Sequence, residues 1–416
     1  MRQMLSVAAA RRDDAGSCGF VHSALMEGWL VIRMNKQKSG RENTSAKSTS
    51  RRSVLRHGLG AGMLAAGGPY IVRDAFSSSG SVDILCWAGY LPPAFIQNFE
   101  KTTGIRVNYK TLGSNEELIN KMKASKGRGY DVITPSVHRK GQWVDLDLIQ
   151  PWDLTMIPNL KNVDPSFLKP SEEWRWGGGL HHLPHIWGTE GISFRTDLFR
   201  SSYGKLSFGD LWRPEMRGKV QGRPHSLMAG VGRYMAGIGK LPPFETAYEN
   251  EAKMRRIWKE ITTFAIAHKP WIKSFWNNHE SQKFNFMQNE CVIGQTWDGP
   301  AIELMKAGKP VQYLAPTEGA FAWLDGLSMP AGARNRAQAH EFVNAIYTVK
   351  AAAQMANSSG YNATVAGVGQ LLDAKTRSAF KSAYPDDAIS KLWWWPEEPA
   401  WYADIRSEYR DQFIAA

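Results

Sequence analysis

The sequence predicts an α/β protein of two lobes, and three observations carry that prediction. Short apolar runs rich in β-formers alternate with stretches of helical periodicity from Val82 to the C-terminus. A chain of 416 residues can bury one large or two medium cores. Strand-like runs also return late, around Val311–Leu314 and Ala320–Ser328, so the chain is expected to cross between the two bodies more than once.

The elements follow in order. Val82–Cys86 reads as a strand, and the aromatic loop Trp87-Ala88-Gly89-Tyr90-Leu91-Pro92-Pro93 leads into an amphipathic helix on Ala94, Phe95 and Phe99, closed by Gly104. Ile105–Tyr109 alternates with period two as the next strand. This strand–loop–helix–strand unit belongs to open parallel sheets, whose ligand crevice lies at the strands' carboxyl ends, where Trp87 and Tyr90 stand. Two ring faces at such a place suit an organic cation or simply pack over the strand end. Asn115–Lys123 reads as a helix capped at Ser114 or Asn115, and Tyr130–Ser136 as a strand ending in a polar turn. A short helix is expected at Lys140–Asp147, and residues 159–179 read as loop. His182–Phe194 reads as two strands joined through Gly188 and Gly191. Beyond it come a helix start at Ser207–Leu211, a strand at Gly218–Val220, a long helix over 244–268 and a strand at Cys291–Trp297. Asp298-Gly299-Pro300 should break that strand before a helix at Ala301–Ala307. Amphipathic helices are expected at Ala337–Lys350 and from Trp401 to Phe413.

The net charge of +12 is not a nucleic-acid signature, because residues 1–74 carry 12 of the 51 Lys/Arg but only 5 of the 39 acids, and no basic stripe follows. Three cysteines (Cys18, Cys86, Cys291) are too few for a disulfide scaffold, and Cys86 and Cys291 read as buried thiols. His181, His182 and His185 lack the H-E-x-x-H spacing and a completing acid or cysteine, so no metal and no cofactor is expected. G-x-G-x-x-A at Gly60, Gly62 and Ala65 follows no strand and is not a dinucleotide fingerprint. Instead, Ser50-Arg51-Arg52-Ser53-Val54-Leu55-Arg56 with its Gly-rich apolar sequel resembles a bacterial twin-arginine export signal, too short to span a bilayer. Residues 1–80 are thus expected to be an extension plus leader, with Met34 a candidate start and the mature protein periplasmic.

Over residues 82–415 the chain resembles the periplasmic spermidine/putrescine-binding proteins, the solute receptors of ABC importers. The blocks that carry the likeness are CWAGYLPPAFIQNFEKTTGIRVNY, SNEEL, YDVITPS, LPHIWGTEGI, FGDLWRPEMRGKV, GQTWDGPAI, FAWLDGLSMPA and SGYN. The resemblance implies a two-lobe periplasmic binding protein fold (type II), hinge-linked, with ligand in the interlobe cleft. It implies residues 81–189 with 299–328 as one lobe and 190–298 with 329–416 as the other. It also implies a monomer that partners an inner-membrane ABC permease and performs no catalysis, while the leader implies export by the twin-arginine translocase and the charge distribution implies no nucleic-acid partner.

The family's aromatic box maps onto Trp87, Tyr90, Trp297, Trp323 and Tyr361, its polar turn residue onto Ser136, and one ammonium-binding carboxylate onto Asp325. Asp298, beside Trp297, is a further candidate acid. Other positions depart from the family. A tyrosine after the polar turn becomes His138, and Arg223 and His225 stand in a region where the family carries two acids. Each buried ammonium needs a partner. The expected ligand is therefore a small amine of the polyamine class. A zwitterionic aminocarboxylate or aminophosphonate is the alternative, since Arg223 and His225 suit an anionic end. Two rival readings are a periplasmic enzyme exported folded and an iron receptor of the same fold, which would need a tyrosine pair.

Overall fold

The computed structural model describes residues 80–416, and the expected extension and twin-arginine leader, with Cys18, lie outside the described residues. The chain opens with β1 (Ser81–Trp87), α1 (Pro93–Thr103), β2 (Arg106–Leu112), α2 (Asn115–Ser125) and β3 (Val132–Ile133). β2 and β3 flank β1, both parallel to it, as the alternation predicts. Pro93 starts α1 where no amide hydrogen is needed, and Gly104 ends it in the left-handed region at φ 74°. Ser114 caps α2, accepting from the Glu117 amide at 3.0 Å.

Next come β4 (Ile149–Gln150), α3 (Pro165–Glu172), the β5–β6 hairpin (Arg175–Trp176, Gly179–Leu180) and β7 (Leu183–Arg195). Two expectations change here. The stretch read as loop holds α3, because Asp164 caps it onto the Ser166 amide at 2.9 Å and Pro165 fills its first turn. Lys140–Asp147 is not the short helix expected; a 3-10 segment covers Val137–Gln142 instead.

β7 is one strand of 13 residues, not two. It pairs antiparallel with four strands in turn, and that ladder outweighs its glycines. Gly188 is a close approach rather than a break: a Cβ there would stand 2.5 Å from Trp323 Cζ2 and 2.8 Å from Asp298 Oδ1.

The second body runs β8 (Val220–Gly222), α4 (Pro224–Gly237), α5 (Glu251–Ala267), β9 (Ile272–Phe275), α6 (His279–Met287) and β10 (Ile293–Trp297). The chain returns through α7 (Asp298–Lys306), β11 (Val311–Leu314), β12 (Phe321–Leu327), β13 (Met329–Pro330), α8 (Arg336–Ile346), α9 (Val349–Ser359), β14 (Asn362–Ala363) and α10 (Ala374–Ala383). It ends with β15 (Trp393–Trp394) and α11 (Ala400–Ala415). α7 begins at Asp298, not after Pro300, since proline is tolerated in a first helical turn. The single helix expected over 337–350 is two, restarted where Thr348 caps α9. The large sheet has the order β15-β12-β7-β10-β8-β9.

Apolar side chains form two cores. The first gathers β1, α1, α2, the start of β7, and α7 to α10; the second gathers the end of β7, α4, α5 and α11. Within 329–416, expected with the second lobe, the buried apolar side chains as far as Leu392 lie in the first core, where Phe342 on α8 packs on Phe95 and Phe99 of α1 at ring distances of 5.7 and 5.3 Å. Only the tail from Trp393 joins the second.

Candidate functional site

A cavity of about 60 Å³ opens between the two cores. One buried water needs roughly 10–15 Å³ on this measure, so the space holds several waters or one small ligand.

Its walls are rings. Trp87, at the end of β1, meets Trp297, at the end of β10, edge to face at 6.0 Å. Tyr90 meets Tyr361 at 5.7 Å, and Tyr361 meets Trp323 at 5.4 Å, both near perpendicular. Such edge-to-face pairs hold their partners in fixed orientation. Gly299 makes room for Tyr361, because a Cβ there would stand 2.4 Å from Cε1 of that ring. Trp87 is locked further by its Nε1–H donating to the Thr134 carbonyl at 3.0 Å.

Asp325 stands among these rings. β12 slips register against β7 between Asp325 and Gly326, and at that bulge Asp325 turns to bridge Ser136. Its Oδ2 accepts from Tyr90 Oη at 2.6 Å and its Oδ1 from Ser136 Oγ at 2.5 Å. Asn115 Nδ2 donates in turn to Ser136 Oγ at 2.9 Å. Burial pushes the Asp325 carboxyl up to about 7, against the pull of the Ser136 and Tyr90 hydrogen bonds and of Arg223. Burial likewise raises the Tyr90 phenol, which Asp325 raises further, so Tyr90 remains a donor. A carboxylate that costs energy to ionise here gains most from an added cation.

A second acid, Glu190 of β7, faces Trp297 across the ladder and is also pushed up to about 7 by burial. Gln295 Nε2 donates to it at 3.2 Å. It was missed in the sequence, where the available signal was an acid set in an otherwise uncharged strand run, Ile186–Phe194.

The far side of the cavity carries four charges in a ring. Glu116 Oε1 accepts from Arg139 Nη2 at 2.5 Å and from Arg406 Nη2 at 2.7 Å. Arg406 also pairs with Glu398, and Arg139 Nη1 stands 3.0 Å from Glu398 Oε2, close enough for an ion pair though not aligned as a hydrogen bond. Burial raises the Glu116 carboxyl but the two arginines prevail and hold it well below the usual range. Burial opposes the charge on Arg406, yet Glu398 and Glu116 raise it above its ordinary value. Glu116 and Arg139 belong to the first body and Arg406 to α11 of the second. These residues are up to 290 positions apart, and no local pattern links them.

Of the predicted site residues, the structure brings Trp87, Tyr90, Trp297, Trp323, Asp325 and Tyr361 to the cavity wall, together with His138, Arg223 and His225. Ser136 sits behind Asp325 as its donor. Asp298 is not brought to the cavity: as the first residue of α7 it turns inward, accepting from Tyr384 and, at 3.3 Å, from Asn362 Nδ2. His138 stacks near Trp395, 6.1 Å between rings, which carries the Trp393-Trp394-Trp395 run to the wall. Burial, then nearby arginines, lower the His138 and His225 imidazoles well below their usual range, so both are neutral at pH 7. His181 and His182 are structural: His181 stacks on Trp176 at 4.0 Å, and His182 bonds Ser171 at 2.9 Å.

The sequence profile of the bacterial extracellular solute-binding proteins matches residues 94–383. The spermidine/putrescine-binding periplasmic protein of Escherichia coli is 28% identical over 367 residues, covering 86% of this chain and 98% of that protein. A putrescine-binding periplasmic protein of Pseudomonas aeruginosa is 27% identical, covering 76% of this chain and 86% of its own. Among solved structures, the spermidine/putrescine ABC transporter substrate-binding protein of Streptococcus pneumoniae superposes with a TM-score of 0.62 at 25% identity, over 81% of this chain and 99% of that one.

Proposed function

Because this chain belongs to the bacterial extracellular solute-binding proteins, we propose that it is the periplasmic receptor of an ABC importer and binds a small amine of the polyamine class. The observation that carries this reading is Asp325: a buried carboxyl with no cationic nitrogen within 4.0 Å among the described residues, walled by Tyr90, Tyr361 and Trp323. An ammonium placed there gains an ion pair and ring faces, each cation–π contact contributing about 0.5–2 kcal/mol. A micromolar complex needs about 8 kcal/mol in total, which two or three rings and one charge pair supply.

The receptor carries out no chemistry. The ligand docks on one lobe and the other closes over it, a monomer in its closed form being read by the inner-membrane permease. The leader sends the chain through the twin-arginine route. A thermal-shift screen of putrescine, spermidine and short aminocarboxylates tests the reading, with bound amine raising the melting temperature. An unchanged melting temperature with every amine at millimolar concentration refutes it. Conversion of any amine by the purified protein would favour an enzyme instead.

A further inference from the structure

The ring face that a second ligand ammonium would use is occupied by the protein itself. Arg223 caps α4 and holds its guanidinium carbon 5.3 Å from the Trp297 ring centroid and 5.9 Å from that of Trp276. Among the described residues no carboxylate oxygen comes within 4.0 Å of it, and its one hydrogen bond runs from Nη2 to the Gly113 carbonyl at 3.1 Å. A guanidinium has five N–H donors, so this one, on the cavity wall with a single hydrogen bond, has donors to spare for a ligand. Trp323 Nε1–H also lacks an acceptor among the described residues. A diammonium ligand brings only donors and answers neither.

The charge inventory points the same way. Glu116, Arg139, Glu398 and Arg406 compensate one another within their ring. That leaves Asp325 and Glu190 against Arg223, an excess of one negative charge at most. Two ammoniums would overfill it beside a fixed guanidinium, whereas a zwitterion adds no net charge, its ammonium answering an acid and its anionic end the guanidinium. The start of α4, a helix of 14 residues, adds His225 and Ser226 to the same wall and favours negative charge at that end.

We infer that the ligand is a short aminocarboxylate, its ammonium on Asp325 among Tyr90, Tyr361 and Trp323, and its carboxylate on Arg223 at the head of α4. This deepens the amine-receptor reading and rests on it. Putrescine and 4-aminobutyrate form a matched pair, four carbons long and differing in the charge of one end, and butylamine lacks that charge. Titration calorimetry of the purified chain with the three should show 4-aminobutyrate binding at least tenfold more tightly than either amine. Equal or tighter binding of putrescine overturns the inference while leaving the amine receptor standing; silence from all three overturns the inference, and silence from spermidine as well overturns both. Arg223→Glu should reverse the preference toward putrescine, and Arg223→Met should abolish it, each checked for a native melting transition. An Arg223→Met variant that melts as the parent does and keeps the full preference for 4-aminobutyrate also overturns it.

Discussion

Asp325→Asn isolates the charge on which the site turns. At about 4 Å and an effective dielectric near 20, an ammonium–carboxylate pair is worth about 4 kcal/mol. Ionising a group whose burial lifts it to about 7 returns part of that gain. The net loss on substitution is therefore about 3 kcal/mol, or roughly a hundredfold in Kd. Asparagine keeps the volume and an oxygen for Tyr90 Oη, so the fold should survive. Asp373→Asn is the control: Asp373 is an exposed cap of α10, accepting from the Thr376 amide at 2.7 Å, far from the cavity wall. Titration calorimetry at pH 7.5 with whichever amine raises the melting temperature reads the difference. Binding by Asp325→Asn within threefold of the parent would refute the assignment of Asp325 as the cation's partner.

The same group fixes a pH dependence. Asp325 titrates near 7 in the folded, ligand-free chain against an ordinary value of 3.8, so its contribution to stability is full below about 3.8 and lost as pH rises to about 7. Asp325→Asn should make the parent's melting-temperature profile less steep across that window, where Glu190 and Asp298, also pushed up to about 7, supply the rest of the slope, and an amine should bind the parent with proton release at pH 6, seen as heats that vary with buffer ionisation enthalpy. Arg406→Met takes from buried Glu398 the arginine that hydrogen-bonds it, leaving only Arg139 nearby, and should lower unfolding stability by about 3 kcal/mol in urea, with Glu398→Gln added in the double variant restoring part of it. Trp323→Ala should weaken amine binding by about 1–2 kcal/mol in calorimetry through lost ring contact. Cys86 and Cys291 are free and buried, their thiols pushed up to about 12, so both should resist a thiol reagent in the native chain and react on unfolding.

Local chemistry was legible where one segment decides it. Pro93 and Gly104 bracket α1, and the aromatic loop after β1 falls where the strand rule puts a crevice. The strand at His182–Phe194 was misread at its glycines because their reason is remote: Gly188 is small to admit Trp323, 135 positions later, not to turn the chain. Asp298 was drawn toward the site by its neighbour Trp297, yet the start of α7 points it at Tyr384 and Asn362. The placement of 339–392 in the first core depends on Phe342 reaching α1, a contact that periodicity along α8 cannot name. Glu190 left one local signal, as the one charge in the run Ile186–Phe194, but the charged ring left none. Each member of that ring is ordinary in its own segment and becomes a site residue only when distant strands and helices converge.

That ring also bears on timing. Its acid and base pairs fasten α2 and the Val137–Gln142 turn of one body to α11 of the other, beside the cavity rather than within the rings that would grip a ligand. Separating the halves means unfastening charges held largely out of water, whether or not the cavity is filled. Where capture must wait for that parting, entry is set by the protein rather than by collision. The observed association rate should level off as ligand concentration climbs, and residence should be long for so small a molecule. A receptor built this way trades speed of capture for retention until it reaches its permease.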